Sequence, residues 1–98
     1  MRPEVEALVA LGPFPAELGA SVERVRGHEL AYRAIRRPVT DDEASVLLTI
    51  LGPDDCFGLA WSLVHLVETA PNWPPPQWPS ALPREWRTVL EARIGKAP

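Results

Sequence analysis

The sequence predicts an all-α fold: a compact bundle of four to five short helices, with a central apolar helix at about 55–70 and a Pro/Trp-rich extended strap over 71–83. Three observations predict it. Cys56 to Val67 is apolar almost all round, which places a helix in the middle of a domain. Start and stop signals recur along the chain, with a capping box at Thr40–Glu43 and a Gly-Pro stop at both 12–13 and 52–53. No pair of convincing strands is present to build a sheet. A chain of 98 residues with 46% hydrophobic content has the size and composition of one globular domain, 1–98.

The first helix is predicted from Pro3 to Leu11. Pro3 suits a first turn, where its missing N–H has no intrahelical partner to lose. Glu4 and Glu6 complement the helix dipole, and Val5, Leu8 and Val9 share one face. Gly12-Pro13 ends it. Residues 13–20 read as a connection from which Phe14 enters the core.

Residues 21–37 admit two periods. Val22, Val25, Leu30, Ala34 and Ile35 fit a helix kinked near Gly27, whereas Leu30, Tyr32 and Ala34 also fit the alternation of a strand. Helix is the preferred reading, because most of these residues are good helix formers and a lone strand has nothing to pair with. Pro38 closes the segment.

The third helix starts at Thr40 with Val46, Leu47, Ile50 and Leu51 facing inward. The fourth is capped by Asp54 or Asp55 and ends before Pro71. Its polar residues Ser62, His65, Glu68 and Thr69 fall three or four apart and so form one stripe. Half of the 12 prolines lie between Pro71 and Pro83, a density that excludes helix and favours polyproline geometry. A last helix follows from about Pro83 to Ile94, with Trp86, Val89, Leu90 and the stem of Arg93 on its inner face, and then a frayed tail over Gly95 to Pro98.

Composition bounds function more than it defines it. The apolar run of the fourth helix is about half a membrane span and contains Ser62 and His65, so no transmembrane segment is expected. No signal peptide is visible. The single cysteine, Cys56, excludes an internal disulfide and fits a reducing cytoplasm. Nine arginines beside the one lysine, Lys96, fit a bacterial chain from a GC-rich genome. The net charge of −3 argues against a general nucleic-acid binder.

Each chemistry-bearing group has a structural reading beside the functional one. Ser62, His65 and Glu68 contain the residue types of a hydrolytic triad, but one helix cannot converge them, and no oxyanion hole accompanies them. They remain candidates for the lining of a polar pocket in a small enzyme or ligand-binding domain. Cys56 lies near a helix start but is flanked by Asp54 and Asp55, whose charge opposes a thiolate. His28 and His65 are far apart and no metal-ligand spacing or phosphate-cradling loop occurs, so no metal or cofactor is expected. Arg24, Arg26, Arg33, Arg36 and Arg37 outnumber Glu23 and Glu29, which keeps an Arg-mediated nucleic-acid regulator as a third reading. Arg26, Arg33 and Arg37 would share a helical face.

The surplus of tryptophan favours recognition. Trp73 and Trp78 either close the core or leave one ring exposed as an interface anchor. With the acidic helix starts Asp41-Asp42 and Asp54-Asp55, they compose the candidate partner face. The expectation is therefore a small protein-binding module, of the immunity or antitoxin type or an accessory subunit, with a protein partner and the option of a homodimer through helix four or the strap.

Overall fold

A computed structural model describes residues 1–95. It contains five helices: α1 (Pro3–Ala10), α2 (Val22–Arg33), α3 (Asp41–Leu48), α4 (Leu59–Val67) and α5 (Arg84–Gly95). Among the described residues there is no strand. The radius of gyration, 12.8 Å, is that of a compact chain, for which about 13 Å is expected at this length. α1 packs on α2 and α3, and α3 packs on α4. Leu8, Phe14, Leu47, Leu51, Leu63 and Leu90 fill the space between them and are fully buried. Each such side chain contributes roughly 1.5–3 kcal/mol of transfer free energy.

α1 buries Val5 and Leu8 as its spacing predicts. The chain then turns at Gly12, and the amide of Phe14 donates to the carbonyl of Ile50 at 3.0 Å. This anchors the connection on the end of α3. Gly52 makes the approach possible: its φ is +82°, and a Cβ there would lie 2.4 Å from the Phe14 carbonyl oxygen.

α2 begins on Ser21, whose side chain accepts the Arg24 amide at 3.1 Å. It corrects the sequence reading in three ways. The helix runs unbroken through Gly27. It also stops at Arg33, and Ile35 is buried from a turn outside it. Pro38 keeps Arg37 out of the α region, and the chain has already left the helix at Ala34. Arg36 and Arg37 thus lie beyond the helix, and Arg26, Arg33 and Arg37 do not share a helical face. Finally, Val22 and Leu30 point outward while His28 is buried. The inner stripe is Val25, His28 and Tyr32, set by the His28 ring. Its Nδ1 lies 2.9 Å from the Arg24 carbonyl and its Nε2 lies 3.2 Å from the Gly12 carbonyl, with the Phe14 ring edge-on at 5.4 Å.

α3 has both halves of the predicted capping box. Thr40 Oγ1 accepts the Glu43 amide at 3.1 Å, and Glu43 Oε1 accepts the Thr40 amide at 2.9 Å. The Glu43 carboxylate also pairs with Arg2, at 3.0 Å from both Nε and Nη2.

α4 is shorter than the 55–70 expected, because its predicted first turn is left-handed. Cys56, Phe57 and Gly58 have φ of 47°, 56° and 90°. Acceptors hold this turn: Asp54 Oδ1 takes the Cys56 amide at 2.9 Å and Glu17 Oε2 takes the Phe57 amide at 2.7 Å. Asp54 therefore caps a turn ahead of the helix, Asp55 Oδ1 reaches the Trp61 amide in the first turn of α4, and the helix itself starts from Gly58. Leu59, Ala60, Leu63, Val64, Leu66 and Val67 are then buried.

Residues 71–83 are non-helical but do not form one polyproline run. Over five residues that conformation would separate Trp73 from Trp78 by roughly 15 Å. Their rings instead meet edge-to-face with centroids 6.0 Å apart, so the segment folds back on itself. The Trp73–Pro74 peptide is cis, as is Arg37–Pro38. Both Trp rings are partly buried and lie against the core. In α5, Trp86 and Leu90 are buried, whereas Val89, expected inside, is exposed.

Candidate partner-binding site

The start of α3 and the 71–83 segment meet in an open groove of about 270 Å³. Asp41 and Asp42 line one side, and Trp73, Pro75, Pro76 and Gln77 line the other. The capping box fixes the direction of α3, so its first two residues project at this end. Asp41 then fastens the second wall. Its Oδ1 accepts the Asn72 amide at 3.0 Å, and its Oδ2 accepts the Asn72 side-chain amide at 2.7 Å. These bonds, the side-chain one first, hold the Asp41 carboxyl below its ordinary value. The groove therefore joins an apolar aromatic wall to an acidic rim, a combination suited to a cationic side chain lying along an indole face.

The structure brings some predicted site residues together and separates others. Asp41, Asp42 and Trp73 share this groove. Trp78 lies behind Trp73 and lines a neighbouring shallow depression with Ser45, Val46 and Thr49. Asp54 and Asp55 belong elsewhere, to the turn before α4. Asp54 Oδ2 accepts the Glu17 amide at 3.1 Å, and Asp55 Oδ1 accepts the Trp61 amide at 3.4 Å.

The α4 stripe divides among three neighbours. Ser62 Oγ donates to the Gly58 carbonyl at 3.1 Å and the Ser62 carbonyl accepts from the Tyr32 hydroxyl at 3.2 Å, so this residue faces α2. Thr69 Oγ1 donates to the Leu66 carbonyl and accepts the Val39 amide at 3.1 Å. His65 and Glu68 face α5, where Glu68 Oε1 accepts from Arg93 Nη2 at 3.0 Å and His65 Nδ1 lies 3.5 Å from the same nitrogen. The Arg93 guanidinium also stands 5.9 Å from the Trp61 ring centre, and Trp61 meets Trp86 edge-on at 5.5 Å. The four polar residues are thus spent on three different elements.

Cys56 is fully buried. Desolvation first, then the charges of Asp54, Glu17 and Asp55, push its thiol up, away from thiolate chemistry. Among the described residues, no three His, Cys, Asp or Glu side chains are placed to hold a metal ion. No described helix is long and apolar enough to cross a membrane. Sequence reasoning missed His28, the Arg2–Glu43 pair and the Glu17 contact to the Phe57 amide, each of which joins segments far apart in the chain. No protein-family model matches the chain, and no curated protein or solved structure is significantly similar to it.

Proposed function

We propose that the chain is a small protein-binding module of the partner-protein kind, such as an immunity- or antitoxin-type inhibitor or an accessory subunit. Its partner presents an Arg or Lys side chain to the groove between α3 and the 71–83 segment. One observation carries the reading: two acidic residues and a tryptophan, some 30 positions apart in sequence, line a single open groove. Trp and Arg are enriched at the energetic centres of protein interfaces. Asp42, exposed on the rim, supplies charge, while Trp73 and the prolines supply a rigid surface that loses little conformational entropy on binding.

The test uses a photo-crosslinking residue at Gln77 in the full chain, expressed in cells of its source organism. A discrete crosslinked partner is expected. Asp42→Lys should abolish the crosslink with only a small fall in melting temperature, because Asp42 is exposed and the change opposes the α3 dipole but disturbs no buried contact. An undiminished crosslink with Asp42→Lys would reject the acidic rim as the recognition element. Trp78→Ala reports separately on the structural share of the Trp pair, through stability.

A further inference from the structure

A second groove, of about 340 Å³, shares no lining residue with the first and lies between the start of α2 and the left-handed turn before α4. Ala20, Val22 and Val25 form one wall and Phe57 forms the other, with Arg26 and Glu29 along the rim. Phe57 is 63% exposed and Val22 is 70% exposed. The fold does not leave Phe57 there by slack. A bulky residue at φ 56° occupies a backbone region that L side chains rarely adopt, and the Glu17 carboxylate holds its amide at 2.7 Å. A strained, pinned turn that presents an aromatic ring to water is the form of an interface anchor.

The two walls differ in charge. α2 carries Arg24 and Arg26 against Glu23, with Arg33 and Glu29 paired to each other at 3.1 Å. The turn that presents Phe57 is held by the carboxylates of Glu17 and Asp54, with Asp55 beside them and no cation among residues 53–58. A face with one basic and one acidic edge is complementary to itself. A two-fold axis along the groove sets the α2 edge of one copy against the acidic edge of the other, and sets each Phe57 ring toward the partner's groove.

We propose that this face is a homodimer interface: the occupant of the Val22–Val25–Phe57 groove is a second copy of the chain, related by a two-fold axis along the groove. The pairing leaves the Asp42–Trp73 groove free, so it stands independently of the function proposed above. It is isologous, as most closed dimers are.

Sedimentation velocity over a concentration series tests it. The weight-average mass should rise from 10.8 kDa toward twice that value, and added salt should shift the transition to higher concentration. Phe57→Gly is the decisive variant. Glycine relieves the left-handed backbone while removing the ring, so the monomer should melt at the same temperature or higher. The dimer should weaken roughly thirtyfold, as on loss of a central aromatic anchor. Val22→Glu, a change on the opposite wall at an exposed helix start, should weaken it likewise. A monomer at every concentration would overturn the proposal. So would a dimer indifferent to both substitutions, and so would a monomer that uses Phe57 to bind a different protein.

Discussion

Two arginine–glutamate pairs tie the ends of the chain to its middle, and they differ in one respect that decides what each does. Arg2 reaches Glu43 at 3.0 Å and Arg93 reaches Glu68 at 3.0 Å. The arginines are similarly exposed, at 37% and 40%, but Glu43 is 1% exposed and Glu68 is 22% exposed. Glu43 is also the second half of the α3 capping box and accepts the Arg2 backbone amide. Its carboxyl lies at about 2 against an ordinary 4.5, chiefly through the Arg2 hydrogen bond and against the opposing effect of burial. The lesson is that the carboxylate's burial, not the chemistry of the pair, separates a structural ion pair from a surface one. The buried pair supports the turn that carries Asp41 and Asp42, so the candidate site depends on it.

The sharpest way to break this contrast is to remove only the exposed partner. Arg2→Ala leaves the Glu43 carboxylate buried with backbone amides as its only donors, and an uncompensated buried charge costs roughly 3–5 kcal/mol. Glu43→Leu should cost less, about 1–2 kcal/mol, for it loses the reciprocal cap while Arg2 turns to water. The ordering, with the half-exposed residue mattering more than the buried one, is read from urea unfolding midpoints at neutral pH. The reverse ordering would mean that the pair contributes through Glu43's packing alone.

Acid narrows the gap between Arg2→Ala and the unsubstituted protein. The folded-state value of Glu43 lies below its unfolded value, so its contribution is fully present above about 4.5 and is lost as pH falls through about 2. Roughly 3 kcal/mol should disappear across that window. Asp41, also held low, adds loss in the same direction. In Arg2→Ala the carboxylate has lost its stabilising partner and takes up a proton more readily. Its melting temperature should therefore fall less on acidification, and the two proteins should converge toward pH 2. Parallel curves would show that Glu43 is not the group responsible.

The same distinction explains which parts of the molecule were legible in the sequence. Features made by neighbours in the chain could be read: the capping box at Thr40–Glu43, the stop at Gly12, and the helical face of Val5 and Leu8; α3, by contrast, ends at Leu48, ahead of the Gly52 stop. The left-handed turn at Cys56–Gly58 was hidden because Asp54 and Asp55 read equally well as helix caps, and the acceptor that pins Phe57 is Glu17, 40 residues away. The outward rotation of Val22 and Leu30 depended on His28 finding the Gly12 carbonyl, a pairing with no local signal. In the candidate site, the residue types at 41, 42 and 73 were legible and their meeting was not. It requires the Asp41–Asn72 bonds, which join a helix start to a segment that composition marks only as non-helical.

The smallest effect belongs to the C-terminal pair, and it tests the contrast from the other side. Glu68→Gln removes the charge opposite Arg93 while keeping the shape and one acceptor oxygen. Glu68 is accessible to water and Arg93 can still lie over Trp61, so no charge is stranded. The change in unfolding free energy should be about 0.5 kcal/mol or less, as for exposed ion pairs generally, and should shrink with added salt. The stronger readout is tryptophan fluorescence. Trp61 shares Arg93 with Glu68, so a freed guanidinium should alter Trp61 emission even where stability does not move. A loss comparable to that of Arg2→Ala would mean that the α4–α5 contact is held by charge rather than by Trp86 and Leu90, and the division between a structural and a surface pair would fail.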